Sequence, residues 1–289
     1  MQFRAAPYLF VAPFVLLFAA FMLYPLARSL ILSFFKTAGP GYELFVGFDN
    51  YRFLLLDRQF WWAVANTVGF AVVFVALQVP LSLGLALLLN DARLKWRGLF
   101  RFAFFSTYLV GPVFAAVLFG AVFRRDGLVN RVVGLVAGGV SPDWTNDPRL
   151  AMPTVLVAAL WLSVGFGMIY LLAALQSVDH QQYDAAAVDG AGAWARFWHV
   201  TLPGVRHVLV LLVLVGTIAS LQLFELPYVL FQGPGPRNSA LTIVMYLFLA
   251  FFSGDLGYAS AVGWVLVLML LGVAWLQLRL FGAAGERRV

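Results

Sequence analysis

The chain has 289 residues, of which 63% are hydrophobic and only 11% are charged. A soluble domain carries about 25% charged residues, so most of this chain faces lipid or other apolar helices, and no soluble domain of ordinary size fits beside the apolar stretches. The formal charge of +6 is spread over several loops without a basic run, which argues against a nucleic-acid partner, and the absence of cysteine excludes disulfides, thiolate metal sites and cysteine nucleophiles.

At about 20 apolar residues per span, the length accommodates about six spans plus loops. The first covers Tyr8–Phe34, with Pro13 and Pro25 inside it. Its apolar run exceeds the roughly 7–15 residues of a signal-peptide core, so it reads as a retained span. Arg28 lies near the far end, where it reaches the interface. A polar segment with Gly39-Pro40-Gly41 and Gly47-Phe48-Asp49-Asn50-Tyr51 follows. Trp61 and Trp62 anchor the second span, Trp62–Leu89. The third, Phe102–Phe123, is broken by Gly111-Pro112, and a longer loop with Gly138-Gly139 and Ser141-Pro142-Asp143-Trp144 leads to the fourth, Met152–Leu175. The fifth is Val208–Phe231, stopped by Gln232-Gly233-Pro234-Gly235-Pro236. Leu241–Phe252 is too short to cross, and Tyr258–Leu280 is the sixth span.

Orientation follows from the basic residues. The short loop after the second span holds Arg93, Lys95, Arg97 and Arg101 against Asp91 alone. Placing that loop inside, with Arg4, Arg196, Arg206, Arg279, Arg287 and Arg288, gives both termini a cytoplasmic position. The outer arginines share longer loops with acids such as Glu43, Asp49, Asp126 and Asp143, and short loops near span ends set the orientation. The arginines of the loops face anionic lipid headgroups.

Between the fourth and fifth spans lies a stretch of another kind, Gln181–Pro203. Asp179 is a helix N-cap candidate, and Asp184 falls early in the helix, where the dipole favours negative charge. Ala185, Ala186, Ala187 and Ala191 form helix readily and leave a thin, smooth surface, while Gly190 permits a bend and close approach of a partner. Trp194, Phe197 and Trp198 are placed to grip the span ends behind it. An amphipathic interfacial helix would want lysines and large apolar residues on opposite faces. The segment is built to dock a partner.

Catalytic residues are scarce. His180, His199 and His207 sit in or beside this loop without metal-ligand spacing, and neither H-E-x-x-H nor a phosphate loop is present. Ser163 beside Gly165 and Gly167 reads as close helix packing, because no histidine within a span is available to activate it. Glu225 is the acid well inside a span, with Gln222 one turn earlier on the same face. Two readings of it stand: a functional carboxylate, or a buried hydrogen bond stiffening a kink at Pro227. Ser163 and Tyr170 with Ser220, Gln222 and Glu225 supply polar groups at membrane depth, and Trp161, Phe166 and Phe224 are of the type that stacks on sugar rings.

Asp184-Ala185-Ala186, Asp189-Gly190-Ala191, Phe197, Val200 and Leu202-Pro203 resemble E-A-A-x-x-x-D-G-A followed by F-x-x-I-x-L-P. That is the signature of the membrane subunits of binding-protein-dependent ABC importers. Tyr24-Pro25 with Ser33-Phe34, Gly47–Tyr51, Asn66-Thr67 and Asp255-Leu256-Gly257-Tyr258-Ala259 extend the likeness to the sugar-importing branch of maltose and glycerol-phosphate type. Asp184 replaces the usual Glu, His207 stands where Pro is common, and Gly233-Pro234-Gly235-Pro236 replaces G-G-P.

The resemblance implies an all-α membrane protein of six transmembrane helices in the type I importer permease fold, with a cytoplasmic coupling helix. It implies a first helix and outer loop over 1–60, a permease core over 61–282 and a cytoplasmic tail over 283–289. Its partners would be a second, unlike permease, two ATPase subunits and an extracytoplasmic solute-binding protein, in a bacterial or archaeal inner membrane. ATP and Mg would be used by the ATPase; this chain would bind no cofactor and catalyse nothing. The coupling residues would be Tyr183, Asp184, Ala185, Ala186, Asp189, Gly190, Ala191, Phe197, Leu202 and Pro203. The sugar path would involve Ser163, Phe166, Ser220, Gln222, Leu223 and Glu225. The competing expectations are an ion-gradient carrier using Glu225, which would show paired repeats and broken helices in both halves, and a lipid-modifying enzyme, for which no acid–base or metal set is present.

Overall fold

A computed structural model of the chain describes residues 6–38, 41–91, 93–136 and 141–286. Arg4, Gly39-Pro40, Gly138-Gly139 and Arg287-Arg288, all used above, lie outside the described residues. In chain order the helices are α1 (Ala6–Phe18), α2 (Tyr24–Leu32), α3 (Asp49–Leu56), α4 (Arg58–Asn90), α5 (Arg97–Ser106), α6 (Pro112–Val122), α7 (Leu128–Val136), α8 (Pro148–Ser177), α9 (His180–Val188), α10 (Ala193–Arg196), α11 (Leu202–Gly204), α12 (Arg206–Leu221), α13 (Glu225–Phe231), α14 (Ile243–Phe252) and α15 (Leu256–Glu286). Between α2 and α3 a small antiparallel ribbon forms from β1 (Phe35–Thr37) and β2 (Glu43–Phe45), with Lys36 opposite Leu44.

The architecture is helical and membrane-spanning. Tyr8–Leu32, α4, α8 and Leu256–Phe281 are each long and apolar enough to cross, and two bent pairs complete six when each counts as one span. The chain divides into two compact units, residues 1–61 with 246–271 and residues 62–245 with 272–289.

In the first unit, α1 continues into α2 through a π-helical turn, Ala19–Leu23, which ends two residues before Pro25. A proline ring collides with the carbonyl four residues back and offers no N–H to it. The π turn solves this by inserting one residue, so that Tyr24 N–H bonds Ala19 O. The motifs at Gly47–Tyr51 and Asp255–Ala259 then tie the end of α2 down. Asn50 Nδ2 donates to Ser33 O and Phe35 O, both at 2.9 Å, and Tyr51 OH donates to Ser33 Oγ at 2.7 Å. Asp255 Oδ1 accepts from Thr37 N, Thr37 Oγ1 and Tyr258 N. A Cβ at Gly257 would lie 1.8 Å from Phe35 O, so only glycine fits there. Tyr246 OH donates to Asp57 and lies 2.6 Å from Tyr258 OH. Burial and then the bond to Asp57 raise the Tyr246 phenol above its ordinary value and keep it a donor.

The second unit has two buried layers. One joins Phe70, Phe74, Ala116, Phe119, Ala158 and Leu226; the other joins Leu83, Ala86, Met168, Leu171, Val200 and Leu212. Glycines on α8 set its closest crossings. A Cβ at Gly165 would lie 1.9 Å from Phe104 O of α5, and one at Gly167 would lie 2.5 Å from Ser82 Oγ of α4. The small residues around Ser163 therefore serve packing, and Ser163 Oγ bonds back to Ala159 O at 2.7 Å.

Two spans differ from the sequence expectation. The third begins at Arg97 and bends by 102° at Gly111, which takes φ 80° ahead of Pro112. The fifth is not one helix over Val208–Phe231. It stops at Leu221, and α13 starts at Glu225. Pro227 becomes the third residue of a new helix, where no N–H is needed, and the freed Leu223 carbonyl accepts from Thr242 Oγ1 at 2.7 Å. Gln222 and Glu225 thus flank a break instead of sharing a helix face. Both are exposed, and among the described residues the Glu225 carboxylate makes no hydrogen bond, so the buried-hydrogen-bond reading of it falls.

Candidate functional site

The segment after α8 is folded almost entirely by its own local chemistry. Asp179 caps α9, its side chain accepting from Gln181 N at 2.9 Å. At the other end Gly190 adopts φ 76°, Gly190 N bonds Ala187 O and Ala191 N bonds Ala186 O. This pair of bonds is the Schellman arrangement, and its left-handed residue is the reason for glycine here. Open space surrounds the Gly190 position, so the demand is on backbone conformation.

One face of α9 is held and the other is bare. Tyr183 and Ala186 pack on the second buried layer with Phe197 and Leu202, and Tyr183 OH lies 3.0 Å from Thr201 Oγ1. Gln181, Gln182, Asp184, Ala185, Asp189 and Gly190 are exposed, and Val188 is 89% exposed. Asp184 lies in the second turn of α9, so its charge gains little from the helix dipole. Among the described residues neither Asp184 nor Asp189 forms an ion pair. Trp194 and Trp198 do not grip the span ends. Trp194 is 73% exposed and stacks on Phe197 at 5.9 Å, so only Phe197 reaches the layer behind.

The Phe197…Leu202-Pro203 motif has a backbone explanation. Phe197–Thr201 is a second π turn, again ahead of a proline, with Leu202 N–H bonded to Phe197 O. The segment then turns by 66° into α12. At this corner a Cβ on Gly204 would lie 2.7 Å from the Val178 side chain, so the end of α8 and the start of α12 are pinched together beneath α9.

The expected path residues are dispersed by the structure. Phe166 on α8 stacks on Tyr108 at 4.7 Å and meets Tyr170 at 4.6 Å with the rings tilted by 47°, and both tyrosines are nearly half exposed. Tyr108 was missed in the sequence; its only signal is its place just before the Gly111-Pro112 break. Trp161 packs edge-on to Phe119 within the core, and Phe224 stacks on Tyr228 at 5.1 Å. Ser220 is buried, its hydroxyl bonded to Thr217 O at 2.9 Å, and is closed off in this structure. Leu223 is half-buried and its carbonyl is taken by Thr242, whereas Gln222 and Glu225 stand open at the break. α8 packs against both α12 and α13. No group of three or more metal-ligating side chains occurs among the described residues.

Six-span helical architecture, broken spans and a capped helix projecting between two of them define a transporter membrane subunit. The chain belongs to the family described as "binding-protein-dependent transport system inner membrane component", which matches residues 64–282. It is 39% identical to the lactose transport system permease protein LacF of Rhizobium radiobacter, over 97% of this chain and 94% of that one. It is 36% identical to the arabinooligosaccharides transport system permease protein AraP of Bacillus subtilis, over 97% and 90%. Its fold matches a crystal structure of a bacterial ABC transporter that imports alginate, with a TM-score of 0.85, 21% identity and coverage of 96% and 95%. The protein is therefore a multi-pass inner-membrane permease subunit of a binding-protein-dependent ABC importer. That membership replaces the ion-gradient and lipid-enzyme readings.

Proposed function

We propose that this permease carries a sugar or oligosaccharide, forms its path with a second, unlike permease, and is driven through residues 181–194 by two ATPase subunits. The carrying observation is the construction of α9: clamped behind by Tyr183, Ala186 and Phe197, bare and small in front, with Asp184 and Asp189 unpaired. Phe197, Leu202 and Pro203 hold this peg in place, and Ala185, Gly190 and Ala191 give it its thin profile. In the proposed orientation both termini and the tail after residue 282 are cytoplasmic, so α9 meets the ATPase and the opposite loops meet the solute-binding protein. ATP and Mg belong to the ATPase, and this chain binds no cofactor and performs no catalysis of its own.

The sugar assignment rests on the names of the relatives and on the Tyr108–Phe166–Tyr170 ring cluster, whose half-exposed tyrosines suit the C–H face of a pyranose. Ser163, Ser220, Gln222, Leu223 and Glu225 would supply polar and backbone contacts once the helices move. The test is uptake of labelled lactose, arabinotriose and maltose by proteoliposomes holding the complete importer. Uptake of one of these should persist when the proton gradient is collapsed and stop when ATP is withdrawn. No uptake of any of the three by an importer whose ATPase is active would overturn the sugar assignment.

A further inference from the structure

At the end of α8 remote from α9, a cavity of about 320 Å³ opens between the loop before α8 and the loop after α13. We propose that this cavity is a sugar subsite, a neutral vestibule that receives one ring of the substrate before the membrane path. The inference rests on the reading of the chain as a sugar permease.

The lining carries the chemistry. Thr145, Asn146 and Gln232 present a hydroxyl and two amides, and Phe231, Pro234 and Pro236 present apolar faces. None of the nine lining residues bears a formal charge. A neutral, hydroxyl-rich ring with an apolar C–H face matches that lining, whereas a phosphate, a carboxylate or a charged peptide would leave its charge unanswered. The volume is at the small end of ligand pockets, sized for a single sugar unit rather than a polymer segment.

Both walls are set in advance. Asp143 accepts from Asn146 N at 3.2 Å, Asn146 Nδ2 at 3.0 Å and Thr145 Oγ1 at 3.4 Å. These bonds occupy the Asn146 donors and leave its amide oxygen free to accept from a sugar hydroxyl. On the other wall Gln232, Arg237 and Asn238 all adopt left-handed backbone, at φ 53°, 54° and 61°. Three such residues in one short loop are unfavourable and persist only where surrounding bonds enforce them. Those bonds are present: Asn238 O accepts from Trp62 Nε1 at 3.1 Å, Leu241 O from Asn66 Nδ2 at 3.1 Å, and Pro234 O from Ala240 N at 2.9 Å. A wall held this firmly keeps its shape without a ligand, the condition under which weak sugar contacts add up to binding.

The experiment is photolabelling of the complete importer, without its binding protein, by diazirine derivatives of lactose, maltose and arabinotriose, with peptides mapped by mass spectrometry. The expected result is labelling of the peptides around residues 145–146 and 231–236, competed by the unlabelled sugar. Asn146→Ala and Gln232→Gly, the latter compatible with the left-handed backbone, should each reduce that labelling by roughly tenfold, the loss of a neutral hydrogen bond. Labelling on α8 around Phe166 should continue in both variants, which controls for folding. Labelling confined to α8 or α12 would overturn the vestibule and leave the sugar permease standing. Protection of both loops from general carbene labelling by the sugar-free binding protein, with no sugar label there, would assign the cavity to the protein partner and overturn the proposal. Absence of label anywhere together with absence of uptake would remove the sugar reading itself.

Discussion

Pro203 and Pro227 pose the same problem to a helix, and the chain resolves them in opposite ways. Ahead of Pro203 a π turn inserts one residue, and the backbone keeps its bonds within the segment. Ahead of Pro227 the helix stops, and the stranded Leu223 carbonyl is rescued from outside by Thr242. The first solution is local, so the proposed coupling segment holds its shape by short-range bonds. The second depends on a residue far along the chain, so the break holds its shape only in the folded whole. Substitutions in the coupling segment should therefore show in assembly, and substitutions at the break should show in the fold.

The largest expected effect lies on the coupling side. Asp184→Ala should leave the chain inserted and stable while weakening its association with the ATPase by about 1.5–3 kcal/mol, the range for a hydrogen bond to a charged group. Asp184→Glu should be tolerated. Equal retention of the ATPase by the Ala and Glu variants in a pull-down would mean that the carboxylate is not the contact.

Thr242→Val probes the break. It strands the Leu223 carbonyl again, at a cost of about 1–3 kcal/mol for an unpaired buried polar group. The detergent-solubilised protein should melt earlier, with ATPase binding intact before the transition. A wild-type melting temperature would show the break to be self-sufficient after all.

Gly190 sharpens the claim that local backbone governs the coupling segment. Gly190→Ala should cost about 1–2 kcal/mol through its left-handed conformation, and Gly190→Asn should cost less, because Asn tolerates that region. Hydrogen exchange across residues 180–191 reads the effect. Since space around this position is open, faster exchange in Asn than in Ala would contradict a conformational cause.

The smallest effect is that of Tyr183→Phe. It removes the hydroxyl that meets Thr201 and should cost about 0.5–1.5 kcal/mol. The change should appear as faster exchange of α9 alone, with the global melting temperature unmoved. A global shift would place α9 among the long-range elements instead.

The same division explains what could be read in the sequence. The Asp179 cap and the bend at Gly190 are local matters, and the residues state them directly. Gly111-Pro112 announces an interruption but not a 102° turn, and the close approach of Gly165 to Phe104 beside it joins residues far apart in the chain. Tyr108 meets Phe166 and Thr242 meets Leu223 only after folding, and nothing in the spacing of either pair marks it. A helix continuing through a kink at Pro227 would put Glu225 and Gln222 on one face, and the break before Glu225 parts them. Trp194 has the residue type of an anchor, yet of the three aromatics here it is Phe197 that packs on the layer behind α9, and the Trp194 indole is left outside.

The pinch between Val178 and Gly204 has a mechanical consequence. A lever delivers force according to where it pivots, and here the arm carrying α9 pivots where two rods are fastened together. In the proposed coupling, torque on α9 would be shared between α8, which carries the Phe166 ring cluster, and α12, which ends at the Gln222 break. A load passed to both helices together would displace the ring cluster and the helix break in one stroke.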